Sequence, residues 1–117
     1  MAGGCGRETA PEKPNLPQTA APGWTLKSYE SAPPPAGVPA PALCWKAEYS
    51  GAGTASVWTC GYTSAGGAFD AVQRARAEAD TVKFQQGRFL VIASWSGADH
   101  AGATSLVRAV QAAIKSE

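Results

Sequence analysis

Three cysteines, one histidine and four tryptophans are the side chains through which this chain could do chemistry. Cys44 and Cys60 are too far apart for a Cys-x-x-Cys redox motif. With Cys5 and a single histidine they do not make the ligand set of a zinc site either. That histidine, His100, stands beside Asp99 and near Ser94, Ser96 and Ser105. A serine hydrolase needs its nucleophile on a strained turn, and no Gly-x-Ser-x-Gly occurs. His100 reads instead as an exposed residue near the start of a helix capped by Asp99. Gly97 and Gly102 have the spacing of a phosphate-binding loop, with Thr104 at the metal-binding hydroxyl. Ala103, however, takes the place of the lysine that reaches the phosphates, so nucleotide binding is not expected. Glu48, Asp70, Glu78 and Asp80 fall on surfaces that pairing and solvation explain, whereas paired-carboxylate chemistry needs two of them in one cleft. No cofactor or metal is expected, and catalysis is the weaker reading. Its remaining form is a small hydrolase or redox accessory using Asp99 and His100 or the Cys44/Cys60 pair.

Whatever positions these residues must be small. The chain has 117 residues, 44% of them apolar, enough for one domain around a modest core. Ten basic and nine acidic side chains leave a formal net charge of +1, and the basic ones are scattered. Such a surface has no field to gather nucleic acid. No run approaches the roughly 18 apolar residues of a membrane span.

The N-terminus suggests an address. Small residues Ala2-Gly3-Gly4 precede Cys5, and residues 7–22 are rich in Pro, Glu, Thr and Ala with little to bury. A tract of that kind is expected to stay disordered, because burial cannot offset its conformational entropy. Residues 1–22 are therefore read as a disordered tether and residues 23–117 as the folded domain. Cys5 is the expected lipid-attachment site, although the large aliphatic residue usual three places before such a cysteine is missing. No charged and apolar signal region precedes Cys5, so the reading requires that the true start lies upstream or that the signal has been removed. A chance run in an Ala/Gly-rich protein is the alternative.

Along the domain, residues 23–30 alternate Trp24, Leu26 and Ser28 against Thr25, Lys27 and Tyr29, a short first strand. Residues 31–42 hold five prolines and are expected to form a stiff connecting loop across one end of the sheet. Residues 43–50 and 54–62 form the best-specified hairpin, turned at Gly51-Ala52-Gly53, with Gly53 suited to the left-handed position. Pairing Ser50 with Thr54 places Ala47 opposite Val57, Trp45 opposite Thr59, Lys46 opposite Trp58 and Cys44 opposite Cys60. A slip by one residue would set apolar faces against polar ones. The register therefore predicts a Cys44–Cys60 disulfide in a closely spaced strand pair. Closing a loop of about 15 residues would contribute about 3 kcal/mol in the chain-entropy model. Two reduced cysteines that merely pack are the alternative. Trp58 and Lys46 fall on the polar face. They are either a contact surface for a protein or carbohydrate, with Lys46 stacked on the indole, or a site covered by the proline-rich loop.

Thr63 or Ser64 caps a first helix bearing Phe69, Val72, Ala75, Arg76 and Ala79, with Asp70 and Arg74 placed for an i,i+4 pair. A second hairpin is read from residues 82–85 and 88–95, closed by Gln86-Gly87, with Phe84 facing Phe89 and Val82 facing Val91. Its second arm, Arg88-Phe-Leu-Val-Ile-Ala-Ser-Trp95, is apolar on both faces, which marks a central strand covered on both sides. Trp95 and Trp45 belong to the core on this reading. Residues 103–115 carry an apolar stripe of Ala103, Leu106, Val107, Val110, Ala113 and Ile114, a helix that must lie on the sheet. The expected fold is thus α+β: one domain in the order β-β-β-α-β-β-α, a mainly antiparallel sheet of about five strands with two helices packed on it.

Glu48-Tyr-Ser-Gly51 with Val57, then Ala68-Phe69 and Gln73, then Phe84-Gln-Gln-Gly-Arg-Phe-Leu-Val91 resemble small uncharacterised bacterial lipoproteins of unknown function. In that group an Ala-Phe-x-x-x-Gln helix precedes a Phe-x-x-Gly-x-Phe hairpin. The resemblance covers roughly residues 49–95 and implies a location in the cell envelope, without catalytic residues. The expected protein is a lipid-tethered, monomeric, non-enzymatic domain that binds an envelope protein or component.

Overall fold

The computed structural model describes residues 13–20, 23–35, 38, 43–51, 53–74, 81–97 and 100–114. Eight elements follow in order: β1 (Thr19–Ala20), β2 (Trp24–Ser31), β3 (Leu43–Gly51), β4 (Thr54–Gly61), α1 (Ala65–Arg74), β5 (Thr81–Gln86), β6 (Phe89–Ser96) and α2 (His100–Ala113). The strands form one antiparallel sheet ordered β1-β2-β3-β4-β6-β5. The α+β class and the element order are as expected, with the two-residue β1 added at one edge.

That addition corrects the domain boundary. Thr19 pairs with Thr25 and Ala20 with Trp24, and the Leu26 amide donates to the Gln18 carbonyl at 2.8 Å. Leu16 packs against the main core. Residues 13–20 therefore form a strap on the domain rather than tether, while residues 1–12 lie outside the described residues. A tract counted as polar overall had one leucine, and its carbonyls meet donors supplied from far along the chain.

Phe89–Ala93 of β6 are buried on both faces, as an apolar run in an interior strand requires. The two faces belong to different helices. Phe89, Val91 and Ala93 join Trp24, Ala47, Tyr49, Ala55 and Val57 beneath Leu106 and Val110 of α2 and Ile114 just after it. Leu90 and Ile92 point the other way and meet Ala68 and Ala71 of α1 together with Cys44, Cys60 and Tyr62.

Three local expectations change. The hairpin of β5 and β6 pairs Gln86 with Phe89, Phe84 with Val91 and Val82 with Ala93, two residues from the expected register. The turn is Gly87-Arg88, where Gly87 supplies φ of +62°. An even slip keeps every side chain on its face, so the apolar pattern could not distinguish the registers. On β2 a bulge between Leu26 and Ser28 shifts the pairing, and Tyr29 joins Trp24 and Leu26 on the α2 face instead of opposing them. Phe69 stays exposed on α1, whose small Ala68 and Ala71 let the helix approach the sheet closely. The Ser64 hydroxyl accepts from the Gly67 amide at 3.0 Å as the cap, and the Arg74–Asp70 pair forms at 3.1 Å.

Candidate functional site

The expected register of β3 and β4 holds at every pair from Ser50 and Thr54 to Leu43 and Gly61. It brings Cys44 and Cys60 together in a disulfide with Cα atoms 4.1 Å apart, the short separation of a closely spaced antiparallel pair. Both residues are buried, at 4% and 0% exposure, under α1 and Tyr62. Exchange requires a thiolate to reach one of the sulfurs, so burial argues against a redox role for this pair.

One strand-pair away, on the same face, Lys46 lies opposite Trp58 with its ammonium 5.0 Å from the indole centroid. The same ammonium is 3.1 Å from Glu48, whose other carboxylate oxygen accepts from the Ser56 hydroxyl at 2.9 Å. Glu30 pairs with Lys46 and Ser28 with Glu48 on one side; Ile92 pairs with Trp58 and Ser94 with Ser56 on the other. The row is a polar strip of sheet around one half-buried tryptophan, fixed by a lysine–glutamate–serine chain. Val38 from the proline-rich loop packs on the neighbouring disulfide cluster, as Trp58 does, so the loop reaches this face. Residues 36, 37 and 39–42 of that loop lie outside the described residues.

The opposite face carries polar chemistry that pattern reading missed. Tyr29 donates its hydroxyl hydrogen to the Pro14 carbonyl at 2.8 Å, so the contact with Thr59 at 3.0 Å must have Thr59 as donor. Tyr49 donates to the Pro17 carbonyl at 2.6 Å, and the Trp24 indole N–H donates to the Gly102 carbonyl at 3.0 Å. Burial pushes the Tyr29 phenol up to about 12 despite the Thr59 hydrogen bond that opposes it. Burial, with a smaller contribution from Tyr29, raises Tyr49 further, and burial raises Tyr62. The Tyr29 and Tyr49 phenols are protonated structural donors. Their partners are backbone carbonyls far away in sequence, for which side-chain spacing gives no signal.

The remaining candidates separate. Helix α2 begins at His100, earlier than expected, so Gly102 lies within the helix and its carbonyl serves Trp24. Gly102 and Thr104 are thus not in a phosphate-cradling loop. Asp99 and the His100 side chain lie outside the described residues, as do Cys5, Glu78 and Asp80. Among the described residues no group of three His, Cys, Asp or Glu side chains is placed to hold a metal, and no helix is long and apolar enough to cross a membrane.

No family model, curated protein or solved structure matches this chain. Its functional reading rests on its own residues.

Proposed function

We propose that this chain is an extracytoplasmic domain tethered to a bacterial membrane through a lipid on Cys5, with a binding or structural role in the cell envelope rather than a catalytic one. The observation that carries the address is the Cys44–Cys60 bridge, since disulfides persist in oxidising compartments and are rare in the cytosol. Its partner, an envelope protein or component, meets the polar sheet strip around Trp58 and Lys46. There an aromatic ring and a fixed ion pair are partly exposed together. A tryptophan half out of water is a frequent anchor of an interface. The domain acts as a monomer and has no role with nucleic acid. The hydrolase alternative draws no support from the described residues, and burial of both sulfurs weighs against the redox one.

Expression in a bacterium with the upstream genomic sequence, followed by fractionation, tests the address. The chain is expected with the membranes, and Cys5→Ser is expected to release it into the periplasmic fraction. Recovery of the unaltered chain in the cytosol contradicts the proposal.

A further inference from the structure

Between the strap and the bulged part of β2 lies an open groove of about 390 Å³, whose lining includes Lys13, Asn15, Leu16, Gln18, Leu26 and Lys27. Its volume is that of a small-ligand site. The groove exists because β1 stops pairing at Thr25 and the bulge at Lys27 turns β2 away, leaving a gap that Leu16 and Leu26 floor. Its lining holds two lysines, two primary amides and no acidic side chain among the described residues. Lys13 gives one ammonium hydrogen to the Tyr29 carbonyl at 3.1 Å and lies 4.6 Å from the Tyr29 ring centroid, which fixes it at the rim. An ammonium has three donors, so two remain for a ligand. Lys27, also part of the lining, is exposed.

We propose that this groove seats the phosphate of an anionic membrane lipid. The inference rests on the tethered reading above. Two lysines with no carboxylate among the described residues of the lining complement a phosphodiester. The eight residue steps from Cys5 to Lys13 span at most about 26–29 Å, so a lipid on Cys5 keeps the groove within that reach of the bilayer surface. Each lysine close to an anionic leaflet favours association modestly, and the pair together by about thirtyfold at low ionic strength. That is too little to anchor the domain but enough to orient one already tethered.

The test uses the full chain with Cys5→Ser, so that lipidation plays no part, mixed at low salt with phosphatidylglycerol or phosphatidylcholine vesicles. Partition is expected to be about thirtyfold stronger to the anionic vesicles and to fall at least tenfold in Lys27→Glu, an exposed position whose change leaves folding intact. Equal partition to both lipids overturns the proposal, as does an unchanged Lys27→Glu. Free glycerol phosphate at millimolar concentration is expected to compete only weakly. Full competition would reassign the groove to a soluble phosphate compound and overturn the lipid. Because the probe is unlipidated, these outcomes are independent of whether Cys5 carries an anchor.

Discussion

Cys44 and Cys60 face each other across the first hairpin with Cα atoms 4.1 Å apart, and one pair further along the same face Lys46 lies over Trp58. One register choice produces both. The bridge locks two adjacent strands at the point where α1 covers the sheet and leaves the neighbouring strip to solvent. Replacing both cysteines by serine should cost about 3 kcal/mol in urea unfolding, the loop-closure entropy that a bridge at a sequence separation of 16 removes from the unfolded chain. A double variant as stable as the parent would mean that the bridge does not form.

The Lys46–Trp58 contact is expected to be worth little to folding. A double-mutant cycle with Lys46→Ala and Trp58→Ala should give a coupling of about 0.5–1 kcal/mol, the range of exposed cation–π pairs. Retention of the fold in Trp58→Ala, checked by circular dichroism, makes that variant usable as a binding probe. Loss of the fold would instead make Trp58 a core residue.

Gly51 adopts φ of +142°, and a Cβ there would overlap the carbonyl oxygen of Gly23, the residue just before the paired strand β2. Gly51→Ala should therefore destabilise by about 2 kcal/mol or more, from backbone strain and from forcing β2 and β3 apart. Equilibrium unfolding reads this directly.

Leu16 distinguishes a strap from a tether. It packs on the core beside Leu26 and Tyr29, so Leu16→Asp should lower stability by about 1–2 kcal/mol in urea unfolding. On a tether the same change would be silent.

Stability should be flat from neutral pH to about 9 and then fall. The Tyr29 phenol ordinarily loses its proton near 10, and in the folded chain near 12. Between those values the unfolded chain releases a proton that the folded chain holds, so rising pH favours unfolding. Tyr29→Phe should make the alkaline decline shallower. At neutral pH it should cost about 1–2 kcal/mol, because the Pro14 carbonyl and Thr59 hydroxyl lose their partner.

The first hairpin was legible because its apolar face and both cysteines agree on one register, and the two-faced burial of β6 because its apolar run is unbroken. The register of the second hairpin lies two residues from the one the pattern favours, since both leave Phe84, Phe89 and Val91 on one face and only the turn at Gly87-Arg88 decides. The Lys27 bulge moved Tyr29 to the core face, and no local residue pattern announces such an insertion. The strap was hidden because Pro14 and Pro17 contribute carbonyls rather than side chains. Of the candidate site, Lys46 over Trp58 followed from register alone, whereas its ties to Glu48 and Ser56 depend on rotamers that sequence does not specify.

The most direct measurement is the intact mass of the chain expressed with its upstream genomic sequence, before and after reduction and alkylation. The account predicts a lipid adduct on Cys5 and a gain of two hydrogens on reduction, with alkylation at Cys44 and Cys60 only after it. An unlipidated chain with three free thiols would contradict it.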